Sequence, residues 1–501
     1  MQLSKDNLPK INAANVIKPT DEMFDLPDKV LQFGTGVLLR GLCDYFIDKA
    51  NRNGIFNGRV VVVKSTGGGD IHVFEEQDNL YTICVRGVQD GQKVEENIIC
   101  SAISKVLSAK DQWNDVLAYA HNRQMQIVIS NTTEVGLQLV KESIHQKPPS
   151  SYPAKLLAFL YHRWLAFAGS AEAGMVIIPT ELISENGKKL FSIVEELAHY
   201  NNLGSDFTTW LKEHNRFCNS LVDRIVPGKP PENKLTELRH QLGYKDELLE
   251  VCEHYRLWAI EGDYHEQSML SFFSADKAVV IEPNIEVYKE LKLRMLNATH
   301  TLTCGLACLC GSNTVKDGMG DAYLSAFISD LMLREIAQAI PCPLPDGIAS
   351  GYGYQVLDRF RNPYLEHQWI NITLQYSSKI KMRAIPVLLR YYELYETVPQ
   401  RFALGFAAYI LFMKAVKEEA GAYFGSLNGQ YYRISDDSAA FFYELWKTKS
   451  ADEVVVEVFH SKELWGVDLS YFYEFIAAVQ GQLSQIIQKG ALVALLQMQE
   501  Q

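Results

Sequence analysis

A lysine, an asparagine and a histidine recur within one short run, Lys292-Leu293-Arg294-Met295-Leu296-Asn297-Ala298-Thr299-His300. On an α-helix, at about 100° per residue, Asn297 lies about 140° from Lys292 and His300 about 80° from it. All three then share one broad face, with His300 between the others. A lysine held near apolar surface has a lowered pKa and can move a proton at neutral pH. An asparagine amide can donate to an oxygen that gains negative charge. An imidazole can orient that oxygen or hold the lysine. On spacing alone the pattern also fits an amphipathic helix with its polar residues toward solvent.

A second set of residues suits a phosphate-bearing ligand. Phe33-Gly34-Thr35-Gly36-Val37 follows a short apolar strand, Val30–Phe33, and opens a helical run to Asn51. Glycines there let the backbone turn tightly and approach a pyrophosphate, whose charge is favoured at a helix N-terminus. The usual third glycine position is Leu39, with Gly41 two residues later, so the pattern is imperfect. The next strand-like run, Val60–Val63, leads into Lys64, Ser65, Thr66 and Gly67-Gly68-Gly69-Asp70 rather than directly into an acid. Lys64 could accept a 2′-phosphate or be a solvated strand end, which leaves NAD and NADP both open at this point. Asn186, beyond the strand-like Met175–Ile178, is placed to line a cleft at the strand ends or to make an Asn-Gly turn. Asp223 and Arg224 form an adjacent acid and base that alone read as a structural ion pair.

These residues need a frame. Runs such as Val60–Val63, Gln126–Ile129 and Met175–Ile178 alternate with helical stretches over the first 280 or so residues, which predicts a parallel, helix-covered sheet. Beyond Pro283 the texture becomes helical: Val287–Leu309, Asp321–Ile340, Tyr364–Leu394 with a break or kink at Pro386, Arg401–Ala420, Ser438–Lys447 and Ser470–Met498. The fold class expected is α/β plus all-α, with domains 1–283 and 284–501. The 501 residues carry 48 Lys+Arg against 60 Asp+Glu, a net charge of −12. That balance argues against nucleic acid as the main partner and requires a local positive pocket for any anionic substrate. The longest apolar run, Phe402–Met413, is too short to span a membrane. The nine scattered cysteines, Cys304, Cys308 and Cys310 included, read as reduced, buried packing in a cytoplasmic protein, with no metal site.

Taken together the motifs resemble the mannitol dehydrogenase family, the polyol-specific long-chain dehydrogenases, over nearly the whole chain. The resemblance rests on Leu31–Gly36, Ser130-Asn131-Thr132-Thr133-Glu134, Ser151–Leu156, Leu221–Val226, Tyr288–Glu290, Leu296–Thr301 and Arg359-Phe360-Arg361-Asn362-Pro363-Tyr364. It implies a Rossmann-like nucleotide-binding domain followed by a helical domain, with the active site in the cleft between them. It implies NAD as cofactor, bound at Phe33, Gly34, Thr35, Gly36, Lys64, Asn131 and Thr132, and no metal. Lys292 becomes the general acid, Asn297 and Asn186 the oxyanion pair, and His300 the group that positions the reacting oxygen. Lys379 matches a substrate contact. Arg361, Arg383 and Lys379 are candidates for a substrate carboxylate, and Asp223 joins them as a substrate-binding candidate. The Ser130–Glu134 and Arg359–Pro363 stretches point to the branch that interconverts D-tagaturonate and D-altronate in uronate catabolism. Reduction of fructuronate, oxidation of a neutral polyol, and a non-catalytic sugar-acid sensor are the alternatives. Lys289 and Asn371 stand where the polyol branch has an acid and an arginine, and both differences bear on polyol recognition.

Overall fold

The computed structural model describes residues 1–65, 71–132, 136–427 and 429–499. Thr66 to Asp70, and Thr133 and Glu134 of the quoted motif, lie outside the described residues. The chain forms two compact units, Met1–Gly87 with Lys93–Ile285, and Val88–Gln92 with Glu286–Gln501.

Six parallel strands form the centre of the first unit. Across the sheet they run Ile103–Ser108, Arg59–Lys64, Asp28–Phe33, Ile127–Ser130, Val176–Pro179 and Arg216–Phe217. In chain order this is third, second, first, fourth, fifth, sixth: the doubly wound arrangement, whose order reverses between the first and fourth strands. β-Branched runs suit these strands because both faces are covered. Val30, Val60, Val62, Ile127 and Ile129 pack on one face with Leu42, Phe46, Ile47 and Trp258. Leu31, Val61, Val63 and Val128 pack on the other with Leu156, Leu157 and Leu160. Residues 37–52 form a continuous helix after the first strand, widened to π geometry over Arg40–Asp44.

Two further sheets belong to this unit, apart from the hairpin tip Val88–Gln92 of the first of them. One is four-stranded, with Val16–Ile17, Gln92–Cys100, Tyr81–Gln89 and Glu250–Glu253 in that order. The other has Ser220–Asp223, Leu257–Glu261 and Val279–Glu282.

The second unit is mainly helical. Its central run comprises Glu286–Leu291, a π-helical segment Lys292–Ala298, and Thr299–Leu309. The apolar run read from sequence is the buried helix Gln400–Phe412; among the described residues no helix is long and apolar enough to cross a membrane. One departure from an all-helical domain is a three-stranded antiparallel sheet, Lys417–Glu419, Ala422–Leu427 and Gln430–Ile434. Its first turn has Ala420 and Gly421 at φ 50° and 79°, the left-handed pair that a two-residue hairpin loop requires. The stretch expected as one helix, Tyr364–Leu394, is instead Trp369–Ile372, Tyr376–Lys379, a π segment Ile380–Ala384 and Ile385–Leu394. Pro386 has no N–H for the carbonyl of Met382. That carbonyl accepts instead from Arg294 Nη1 at 2.6 Å.

Candidate active site

In the first unit the switch point of the sheet brings Gly34 against Asn131: Asn131 N donates to Phe33 O at 3.3 Å. Gly34 N donates to Val63 O at 3.0 Å, and its φ of 129° is one that a side chain rarely adopts. A Cβ at Gly34 would stand 3.0 Å from Leu39 Cδ1 and 3.2 Å from Asn131 O. Among the described residues no atom lies within 4 Å of a Cβ built at Gly36, and no side chain caps the helix it starts. The first N–H groups of that helix therefore point out beside a bare backbone, the setting that holds a pyrophosphate. These residues fit a dinucleotide. Thr35 is half-buried in the same loop, and Lys64 is half-buried at the end of its strand.

Phe33 and Asn131 contribute differently from expectation. The Phe33 ring is buried against Tyr152, centroids 5.1 Å apart, so only its backbone reaches the loop. The Asn131 amide donates to Thr180 O and Oγ1 at 3.0 and 2.9 Å, tying two strand ends together. Thr132 donates through N and Oγ1 to Glu181 Oε1, and Ser130 Oγ donates to Oε2. Burial pushes the Glu181 carboxyl up while these hydrogen bonds pull it down. Sequence reasoning passed over Glu181, although an acid two residues beyond the buried strand Val176–Pro179 is a signal for it.

Asn186 is a correction. It is buried as the first residue of the helix Asn186–Tyr200, and its Nδ2 donates to Pro179 O, Glu181 O and Ser220 O at 3.0–3.1 Å. Its Oδ1 accepts from Gly187 N and Ser220 N, each at 2.9 Å. Two amide protons already shared among three carbonyls leave none for an oxyanion. Asn186 is a bracket between strand ends. Asn186→Ala should therefore lower stability by about 2–3 kcal/mol through orphaned backbone groups. The kcat of the folded fraction should remain within a few-fold of the parent. A thermal melt with steady-state kinetics checks this; a hundred-fold loss of kcat at unchanged stability restores the oxyanion role.

In the second unit Lys292 and Asn297 sit on a π segment rather than an α-helix, and His300 lies in the α-helix that follows it. The i→i+5 pattern turns positions five apart toward the same side, so Lys292 and Asn297 lie closer in direction than α geometry gives. Both are half-buried, and the Asn297 carboxamide has no hydrogen-bond partner among the described residues. His300 is buried, its ring stacked on Phe360 at 4.1 Å and 5°. Its Nε2 has no hydrogen-bond partner among the described residues. Burial first, then the charges of His367, Arg359 and Arg383, hold the imidazole well below its ordinary pKa, so it is neutral at pH 7.

The cations expected to hold a carboxylate divide. Arg383 Nη1 donates to Thr301 Oγ1 at 3.1 Å, and Thr301 Oγ1 donates to Asn297 O at 2.7 Å. Lys379 Nζ donates to Ile372 O at 2.8 Å and is depressed by burial and by Arg383. Arg361, by contrast, is exposed and paired with Asp358 at 3.6 Å. Arg359, buried two residues earlier, is the arginine of this motif that acts on His300. Asp223 is buried at the end of its strand in the first unit. Arg224 is a structural residue, donating to Glu253 O and Gly41 O over the Tyr45 ring. Among the described residues no group of three or more His, Cys, Asp or Glu could hold a metal, and all nine cysteines are free.

A doubly wound dinucleotide half-site with a Lys/Asn/His helix in a following helical unit defines a class of two-domain dehydrogenase. The model of the mannitol dehydrogenase Rossmann domain matches residues 28–271, and that of the mannitol dehydrogenase C-terminal domain matches residues 284–487. The chain belongs to the mannitol dehydrogenase family. It is 37% identical over 483 residues to an altronate oxidoreductase of Bacillus subtilis, covering 95% of this chain and 96% of that one. It is 36% identical over 475 residues to an altronate oxidoreductase of Halalkalibacterium halodurans, covering 93% and 92%. Among solved structures it shares its fold with a D-sorbitol dehydrogenase in substrate-free form (TM-score 0.78, 20% identity, 99% and 100% covered). It also shares it with Pseudomonas fluorescens mannitol 2-dehydrogenase in ternary complex with NAD and D-mannitol (TM-score 0.68, 22% identity, 100% of both chains).

Proposed function

We propose that the chain is an NAD-dependent oxidoreductase that reversibly reduces D-tagaturonate to D-altronate. Relatives named altronate oxidoreductase, similar over nearly the full chain, support the substrate pair. The observation that carries the reading is electrostatic. Besides the neighbouring His367 ring, the charged groups acting on the buried His300 ring are Arg359 and Arg383, both basic, in a chain of net charge −12. A neutral polyol gains nothing from such a pocket, whereas a sugar acid needs it. The nine free cysteines support a reducing compartment, the cytoplasm.

The glycine loop Gly34–Gly36 and the uncapped helix after it would hold the pyrophosphate of a dinucleotide, together with Thr35, the Asn131 backbone and Thr132. The bound dinucleotide supplies the hydride that the ketone carbon takes. Lys292 Nζ gives its proton to the carbonyl oxygen in reduction and takes it back in oxidation. Asn297 Nδ2 donates to the same oxygen as charge builds there, a contribution of about 3–4 kcal/mol for a well-placed donor. Neutral His300, held flat on Phe360, orients that oxygen through Nε2 without adding a second titrating cation.

The test is a substrate panel: NADH and NADPH oxidation with tagaturonate, fructuronate and fructose at fixed pH. NADH with tagaturonate should give the highest kcat/KM. A preference for fructuronate or fructose replaces the substrate, a preference for NADPH replaces the cofactor, and dinucleotide binding without turnover replaces the enzyme by a sensor.

A further inference from the structure

His367 lies between the helices Ile348–Phe360 and Trp369–Ile372, outside the Lys/Asn/His run. Its ring stands edge-on to His300, with centroids 5.2 Å apart and planes at 89°. Its backbone is fixed: His367 O accepts from Val315 N at 2.8 Å, and Gln368 next to it bridges to Thr314. The side chain is half-buried, and neither ring nitrogen has a hydrogen-bond partner among the described residues. Such an imidazole, pinned at its backbone and open at its nitrogens, is placed to meet something other than the protein.

The surroundings specify what. The charge acting on His367 is Lys379, which together with burial lowers its pKa. Lys379 Nζ uses one of its three protons on Ile372 O. Arg383 stands close enough to act on both Lys379 and His300. Asp436, the carboxylate that acts on Lys379, is engaged by Ser377 N and Ser438 N at 2.7 and 2.8 Å. The side chains around His300 and His367 thus offer donors and positive charge, with the nearby acid Asp436 already occupied.

A linear keto-uronate carries its ketone and its carboxylate several bonds apart. The two ends therefore need separate groups within one pocket. We propose that His367 is a specificity-determining residue: with Lys379 Nζ it receives the carboxylate of the sugar acid, while Lys292, Asn297 and His300 hold the end that reacts. This rests on the sugar-acid reading above. An arriving carboxylate would favour the protonated imidazole, so the group that is a neutral donor before binding becomes a charged partner in the complex.

The test uses the full chain with NADH. For the parent, His367→Asn and His367→Gln, KM and kcat for tagaturonate are measured, with competitive inhibition by an aldonate and by the matching neutral alditol. Both variants should raise KM for tagaturonate and the aldonate inhibition constant about ten-fold, with kcat within about three-fold and the alditol constant unchanged. An unchanged aldonate constant, or an equal loss for acid and alditol, overturns the role of His367. A parent that turns over no keto-uronate overturns the sugar-acid reading instead. Either variant that folds suffices, since each removes the imidazole and keeps an amide of similar polarity.

Discussion

Lys292→Met is expected to lower kcat for keto-uronate reduction by about 10²–10⁴-fold, the range a positioned general acid supplies. The variant keeps a straight apolar side chain at the first position of the π segment Lys292–Ala298, so the helix has no reason to move. Asn297 and His300 Nε2 remain to meet the oxygen, and the residual rate measures what they contribute without a proton donor. Dinucleotide affinity, read by fluorescence titration of NADH, should be unchanged, because the glycine loop and its helix belong to the first unit. Lys292→Arg should be nearly as slow, since a guanidinium keeps its proton throughout the accessible pH range. Near-parental turnover of Lys292→Met across pH sinks the assignment.

Much of this was legible because the physics that writes the sequence pattern is local. The runs Val60–Val63 and Ile127–Ile129 are β-branched without alternation because both sheet faces are covered, one by Phe46 and Trp258, the other by Leu156 and Leu157. The Lys-x4-Asn-x2-His spacing was legible as a set, but its angles were not, because a 3.6-residue period was assumed where the helix widens to a π turn. Asn186 misled because the sequence shows an amide and hides the three carbonyls that take its protons. Arg359 and Arg361 are one alternation apart in a single motif, and only the packing of Ile348–Phe360 decides that the first is buried and the second faces solvent. His367 carried no signal at all: its neighbour His300 is 67 positions away in sequence, and only the ring contact joins them.

Arg294→Met should destabilise the helical unit by about 3–5 kcal/mol and reduce kcat with it. Arg294 is buried, and its guanidinium is shared between two elements. Nε and Nη2 meet Glu290 Oε2 and Oε1 at 2.8 and 3.0 Å, while Nη1 donates to Met382 O and Arg383 O at 2.6 and 3.0 Å. The first pair fixes the turn that leads into Lys292. The second takes the carbonyl that Pro386 leaves free and anchors the segment carrying Lys379 and Arg383. Removing one partner of a buried ion pair leaves the other charge uncompensated, which is the source of the cost. Calorimetry should show a melting transition lowered by roughly 10 °C. Glu290→Gln added to Arg294→Met should recover part of that loss, since the stranded carboxylate is gone. It should not recover kcat, because Met382 O and Arg383 O still lack their anchor and the cations of the substrate pocket lose their register against Lys292. Strict additivity of the two stability losses, or a double variant with parental kcat, would break this link between the ion pair and the placement of the substrate cations.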